Sequence, residues 1–573
     1  MGLCPLRPHT IFVDSLVDSS GISYENLWNP SETRSKREEL EHPSHKKRAI
    51  MPFLPFFNAA APMPPPPAPA PQSQLEEEFM QVDIVARPVD QSPATVKPPA
   101  TDPPTLMPSC TITSAIEKPA FAFGKDTTLL AMASLTAPAA PAAAAARPPL
   151  DLIAVVDRSG SMSGAKIELM RKTLTLLVTR AGLTSEDRFG CVSFDTTAIE
   201  EIAMQPMSAA GCQHAQEVIG RLAPGGSTNL SGGLLKGVDM LSQLPNGGGQ
   251  GRTRAIMLFT DGLANYGIVE TAPLVSALQG ALGSAATSAA CFTFGFGEQH
   301  NEDMLRAVAE ATAAQYYFIQ GVDDIPNSFA DCLGGLVSIV VQNATLTLEP
   351  LDTPEAPYAI AKVLGQYRMC AAPSPAAHRL ELGDLYAEDA KDVLFELRVP
   401  ALGAGMEADL AAPTPVVRAT LRYFHVANAR FEEATTTLTL ARPAATPPDQ
   451  PCDLKLDAQR NRMLVAESME RAAMLGDAGQ LAEGRAVLER CAQVVQCSPS
   501  RDLELCGGLV REVQQLHMQY DEELVYRSLG SKMSKMSAMS HQMQRSNHAS
   551  AAMYEAGSSS KAAMKRAWAT STK

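Results

Sequence analysis

LDLIAVVDRSGSM, residues 150–162, is an almost wholly apolar run that passes without a break into three oxygen-bearing side chains, Asp157, Ser159 and Ser161. A short, continuous apolar run closed by small polar residues is the pattern of a strand buried on both faces. Three short oxygen side chains at i, i+2 and i+4, in a tight loop containing Gly160, can converge on one small cation outside the carboxyl end of that strand. Hard divalent ions prefer oxygen. A site of two hydroxyls and few carboxylates keeps waters and leaves a coordination position open, so the ligand set suits Mg2+ or Mn2+.

Outward from this stretch, short apolar segments alternate with longer amphipathic ones between Pro149 and about Val341, the pattern of parallel strands joined by crossover helices. The strands expected are 150–157, 188–195, 254–261, 291–297 and 315–319, with an antiparallel edge strand around Ile199 to Met204. Ile167, Met170, Leu174 and Leu177 recur at three- and four-residue intervals and mark a helix that lays its stripe on the sheet. Met304, Leu305 and Val308 mark another helix, and Ile325 to Val341 reads as a last one. The expected fold class is α/β: a doubly wound, mostly parallel sheet, accompanied by an antiparallel β domain and a C-terminal helical hairpin, behind a disordered N-terminus.

Two further segments, GGSTNLSGG with Thr228 and RAIMLFTDG with Thr260-Asp261-Gly262, complete a signature. Asp157-x-Ser159-x-Ser161, then Thr228, then Asp261, in that order and on α/β-type segments, resembles the metal-ion-dependent adhesion site of von Willebrand factor type A (vWA) domains. A lone D-x-S-x-S carries little information; three motifs in the right strand context carry more. The resemblance implies that Ser159, Ser161 and Thr228 supply hydroxyl ligands directly or through water, that Asp157 and Asp261 mostly hold coordinated waters, and that a partner's carboxylate takes the last position on the ion.

The remaining chain divides by composition. Residues 1–104 are rich in Pro, Ala and charge, with PMPPPPAPAPQ at 62–72, and are expected to be disordered. RSKREELEHPSHKKR at 34–48 reads as a solvated charge run because acidic residues interrupt it. Residues 105–147 hold a strand region and a linker that belong with the β domain, which would make the α/β unit (148–342) an insertion between strands of one sandwich. Period-two strands occupy 343–446, helices 452–529, and a Ser/Met-rich tail 530–573 with a local net charge of +6. Met533, Met536 and Met539, at i, i+3 spacing, could form an adaptable helix face for a partner. This order also resembles proteins with a Vwaint extension, notably the wavy-growth family of plant RING-type E3 ubiquitin ligases, and more loosely inter-alpha-trypsin inhibitor heavy chains.

Composition excludes several function classes. A net charge of −14 over 573 residues, with no basic and aromatic face, argues against nucleic acid. Eleven cysteines without a C-x-x-C pair fit free thiols in a reducing compartment, so a cytoplasmic location is expected. The first thirty residues lack the pattern of a signal peptide, no run is long enough to span a bilayer, and Leu6 stands where N-myristoylation wants Ser or Thr, so no membrane partner is expected. A RING needs about eight closely spaced Cys and His ligands. Before the vWA segment there are only Cys4, Cys110, His9, His42 and His45.

Three functions are thereby weighed. The first is a non-enzymatic scaffold that captures an acidic side chain of a partner protein through Mg2+ or Mn2+. The second is an adaptor that presents substrate to ubiquitin machinery without a RING of its own. The third, metal-assisted hydrolysis, lacks H-E-x-x-H or clustered histidines to serve as a general base. His300, just past a strand end, is read as capping or packing rather than lining the metal face, and Cys191 and Cys291 as inert core thiols.

Overall fold

The computed structural model describes residues 106–140, 147–180, 182–244, 252–284, 289–321, 324–351, 357–402 and 412–545. The Pro-rich and charged segments before residue 105 and the tail beyond 545 lie outside the described residues.

The chain starts with an antiparallel pair, β1 (Thr111–Ile116) and β2 (Thr127–Thr136). It then enters the α/β unit at β3 (Leu150–Asp157), all eight residues of which are buried. There follow α1 (Ala165–Arg180), β4 (Arg188–Phe194), β5 (Ala198–Pro206), α2 (Ala209–Arg221), α3 (Leu230–Ser242), β6 (Thr253–Thr260), α4 (Thr271–Ser284), β7 (Ala290–Phe296), α5 (Glu302–Glu310), β8 (Tyr316–Ile319) and α6 (Ile325–Leu336). The sheet order is β5-β4-β3-β6-β7-β8, parallel throughout except for β5, which runs antiparallel on β4. Each expected strand is present within a residue or two of its expected bounds.

Register shows why both faces are covered. Ile153 pairs with Ile256 and Val156 with Phe259, so Ile153, Val155 and Ile256 share one face while Val156 and Phe259 share the other. α3 lies on the first face so closely that a Cβ added to Gly237 would come within 2.8 Å of Val155 Cγ2. On the second face, Phe329 of α6 stacks on Phe259 and Phe294 at 5.5 and 4.6 Å between ring centroids. The stripe Ile167, Met170, Leu174 and Leu177 of α1 is buried as its spacing requires.

The last α/β helix is shorter than its pattern suggested. It stops at Leu336, and the residues to Val341 open the long strand β9 (Ile339–Pro350). The apolar positions 339–341 satisfy either period, and pairing with a neighbouring sheet decides for the strand. That sheet has the order β11-β12-β9-β14-β15, built with β11 (Arg368–Cys370), β12 (His378–Tyr386), β14 (Thr414–His425) and β15 (Arg430–Leu440). The facing sheet, β1-β2-β13-β10, adds β10 (Ala359–Val363) and β13 (Ala390–Val399). The two share a core that includes Leu129, Val341, Leu346, Phe395 and Tyr423. β2 pairs with β13 along its whole length, so the α/β unit is threaded between strands of one sandwich.

After the sandwich come α7 (Leu454–Asp477), α8 (Leu481–Cys497), α9 (Glu504–Met518), a short turn α10 (Glu523–Val525) and α11 (Ser531–Met543). α11 corrects the expectation of a tail. Its Met536 and Met539 are buried in the α/β core, and the Phe318 amide of the edge strand β8 donates to Met536 Sδ at 3.3 Å. Lys535 is also buried, its ammonium 2.7 Å from Asp303, 2.9 Å from Asp477 and 3.3 Å from Glu302. Asp392 of β13 exchanges two hydrogen bonds with the Gln544 side chain, at 2.8 and 2.9 Å. The methionine face therefore has a partner within the chain, because α11 covers a sheet edge that would otherwise stay open. Among the described residues no helix is long and apolar enough to cross a membrane.

Replacing Met536 or Met539 by Ala is expected to cost about 2–5 kcal/mol each, the range for truncating a buried methionine. Thermal unfolding with hydrogen exchange at Tyr316–Ile319 checks this: melting should fall and β8 amides should exchange faster, whereas unchanged protection would show that α11 does not seal the edge.

Candidate metal centre

Strand order reverses between β3 and β6, where a doubly wound sheet opens a crevice outside its carboxyl ends. Asp157 closes β3 at that point, and Asp261 directly follows β6. Asp157 is fully buried, so its carboxylate depends on donors supplied by the protein. Oδ1 accepts from the Ser159 amide at 2.8 Å and Oδ2 from the Thr260 hydroxyl at 2.6 Å. Burial pushes the Asp157 pKa up; the hydrogen bonds from Ser159 and Thr260 offset part of that, and the nearby Asp261 carboxylate adds to it.

Asp261 is equally buried. Its Oδ1 accepts from the Ser161 hydroxyl at 2.8 Å, and its Oδ2 is paired with the Lys166 ammonium, which stays partly exposed on α1. Ser159 Oγ and Ser161 Oγ stand 3.0 Å apart. Thr228 arrives on a loop stitched to the first one by Gly225 N to Arg158 O, 2.7 Å, and Gly160 N to Gly226 O, 3.2 Å. Its own backbone is held on both sides by Asn265, through Thr228 N to Asn265 Oδ1 at 2.8 Å and Asn265 N to Thr228 O at 3.1 Å. A Cβ placed on Gly262 would sit 3.3 Å from Ser161 Oγ and 3.8 Å from Thr228 Oγ1, so the missing side chain leaves a cradle between the two hydroxyls.

All five residues picked out from the sequence thus meet at one place. Two buried carboxylates and three hydroxyls around a glycine-lined gap form a donor set of hard oxygens, which fits a small divalent cation and no soft metal. Among the described residues there is no cluster of three or more His, Cys, Asp or Glu that could hold a metal, so the hydroxyls carry the weight of this one. Sequence reasoning quoted Thr260 within the motif without giving it a role, and it missed Asn265 and Lys166 as parts of the site. Lys166 meets a residue 95 positions away, which no local pattern announces.

Residues 151–329 match the family model of the von Willebrand factor type A domain, so this part of the chain is a vWA domain. The chain is 27% identical to the E3 ubiquitin-protein ligase WAV3 of Arabidopsis thaliana over 257 residues, 44% of this chain and 32% of that one. It is also 27% identical to the uncharacterized protein sll0103 of Synechocystis over 266 residues, 45% of this chain and 59% of that one. The chain therefore spans less than two thirds of either relative. A solved structure, the von Willebrand factor type A protein from Catenulispora acidiphila, superposes with a TM-score of 0.56 at 16% identity, covering 72% of this chain and 91% of that one, which shows a common fold.

His300 takes no part in the metal face. It is buried, with Nδ1 2.8 Å from Gly297 O and Nε2 2.6 Å from the Tyr316 hydroxyl, while the helix cap itself is Asn301, whose side chain accepts from Met304 N. Cys191 and Cys291 are buried core thiols whose pKa values burial raises. Burial, then the Lys532 charge, lowers the His300 pKa from 6.5 to about 4. The native state thus binds fewer protons than the unfolded one between these values. Its contribution to stability is complete above pH 6.5 and falls as pH drops towards 4, by about 3 kcal/mol at most. His300→Gln should flatten this limb in denaturant titrations from pH 7 to 4; an unchanged acid limb would contradict a neutral, buried imidazole.

Proposed function

We propose that this protein is a non-enzymatic, metal-dependent scaffold that captures an acidic side chain of a partner protein at the site of Asp157, Ser159, Ser161, Thr228 and Asp261. The observation that carries this reading is the donor balance of the site. Of the two buried carboxylates, Asp261 is paired with Lys166, Asp157 is answered by neutral donors, and three hydroxyls supply the other oxygens. Mg2+ or Mn2+ held there would act as an electrophile for an incoming carboxylate, because few direct carboxylate ligands leave much of its charge uncompensated. The residues of this chain do the rest. Thr260 and the Ser159 amide orient Asp157, Ser161 links the two halves of the site, and Asn265 holds the Thr228 loop in place. vWA domains typically mediate protein–protein contacts, which supports the same reading. We assign the α/β module, residues 148 to about 336, as the working part, with the sandwich and the helices as its mount.

A second reading, an adaptor that presents substrates to ubiquitin machinery, is supported by the similarity to an E3 ubiquitin-protein ligase. The two readings share the metal site and differ in the partner.

Isothermal titration of the full chain with MgCl2 tests the first. Wild type should bind, and Asp157→Ala with Ser161→Ala should weaken binding at least about tenfold, as loss of supporting groups does at metal sites. Lys166→Gln should bind Mg2+ more tightly, since it removes a competing positive charge from Asp261. Affinity capture in Mg2+ or EDTA, read by mass spectrometry, then identifies partners lost in both EDTA and the double variant. Absence of Mg2+ and Mn2+ binding by wild type would sink the metal reading, and metal-dependent capture of ubiquitin enzymes would favour the second partner class.

A further inference from the structure

Beside the proposed metal centre, the loop after β6 exposes three large apolar side chains: Leu263 at 58%, Tyr266 at 54% and Val269 at 47% of their surface. Exposure of single apolar residues is ordinary, but three within seven residues on one loop concentrate apolar surface where water must be displaced by something. The loop does not expose them through slack. Asn265 and Tyr266 amides both donate to Thr228 O, at 3.1 and 3.3 Å, and Ile268 N donates to Ser231 Oγ at 2.9 Å. Ala264 and Ile268, between the exposed residues, pack inward on the α/β core. The loop is therefore held on both flanks and presents Leu263, Tyr266 and Val269 outward from a fixed base.

Its position ties it to the site. Leu263 is two residues from Asp261, and the Tyr266 backbone amide is bonded to Thr228 O, so the loop that carries the apolar residues starts beside the gap between Ser161 and Thr228. The opposite side of the site is polar. There Arg158 pairs with Asp195 at 2.8 Å, and Thr197 donates its amide to the Asp195 carboxylate at 2.9 Å. A ligand lying across the centre meets charge and hydroxyls on one side and hydrocarbon on the other.

We propose that the partner is a polypeptide segment carrying an Asp or Glu with a large aliphatic or aromatic residue within three positions of it, the acid facing the metal and the apolar residue resting on Leu263, Tyr266 and Val269. This rests on the metal reading above and specifies the partner of that same site. Charge complementarity selects the acid, because a divalent cation at this site, with few direct carboxylate ligands, would attract an anionic oxygen. The shelf selects the neighbour, because an apolar side chain buried there gains surface burial that an acid alone does not, and a central apolar anchor beside a desolvated charge is the pattern of an interface hot spot.

The test is selection of random linear peptides displayed on phage against the immobilised full chain in Mg2+, with elution by EDTA. Three proteins run in parallel: wild type, Asp261→Asn, and the triple variant Leu263→Ser, Tyr266→Ser, Val269→Ser, whose folding is checked by thermal unfolding and whose Mg2+ affinity is checked by titration. Wild type should enrich peptides with an acid and a large apolar residue within three positions. The triple variant should keep the metal-dependent preference for the acid and lose the apolar one, and a synthetic copy of a selected peptide should bind it about tenfold more weakly by fluorescence anisotropy at unchanged Mg2+ affinity. Asp261→Asn should yield no EDTA-eluted enrichment. Acidic peptides without an apolar neighbour, or the same apolar enrichment on the triple variant, would overturn the shelf while leaving the metal site standing. No EDTA-eluted peptides from wild type would overturn both.

Discussion

A carboxylate at the end of a fully buried strand is the constraint around which this site is organised. Asp157 has lost its water, and burial disfavours its charge unless something answers it. Thr260 and the Ser159 amide answer in part, and they do so only if β6 runs beside β3 and the loop after β3 turns back on itself. Sheet order, loop conformation and the placing of Asp261 are thus bound to the solvation of one side chain. The second buried carboxylate makes the same demand, met by Ser161 and Lys166. Two such groups at one switch point concentrate negative charge where the fold opens to solvent, which is the condition for attracting a cation.

The other end of β3 shows how differently a buried acid can be treated. Asp151 is also fully buried, but burial is there outweighed by the Arg188 and Arg252 guanidinium groups, 2.8 and 2.7 Å away, and its pKa falls. One strand therefore carries a paired acid at its amino end and a largely uncompensated one at its carboxyl end. α11 illustrates a further use of burial: Lys535 and two methionines from the end of the described chain are taken into the body, joining α/β unit, sandwich and helices.

Much of the α/β unit was legible because its strands are unbroken apolar runs and its helices repeat at three and four residues. The meeting of the five oxygen-bearing residues was legible because they come from short motifs, each on a strand end or loop with its own local signature. Less was legible where periods overlap or where contacts are remote. Residues 339–341 fit helix and strand alike, and only pairing of β9 with β12 and β14 settles them. The spacing of Met533, Met536 and Met539 allowed an apolar helix face, yet did not decide between helix and tail or say that the partner is the edge of the chain's own sheet.

By itself, the sequence determined the local chemistry of this protein: which residues form strands, where glycine permits a tight approach, and which oxygen side chains gather at strand ends. These follow from side-chain size, period and polarity within a few residues. Only the tertiary structure decided which acid stays without full compensation, that Lys166 meets Asp261, that Leu263, Tyr266 and Val269 face outward beside the site, and that α11 turns inward. Those outcomes depend on distances between residues far apart in the chain, and such distances are set by packing, not by neighbouring sequence.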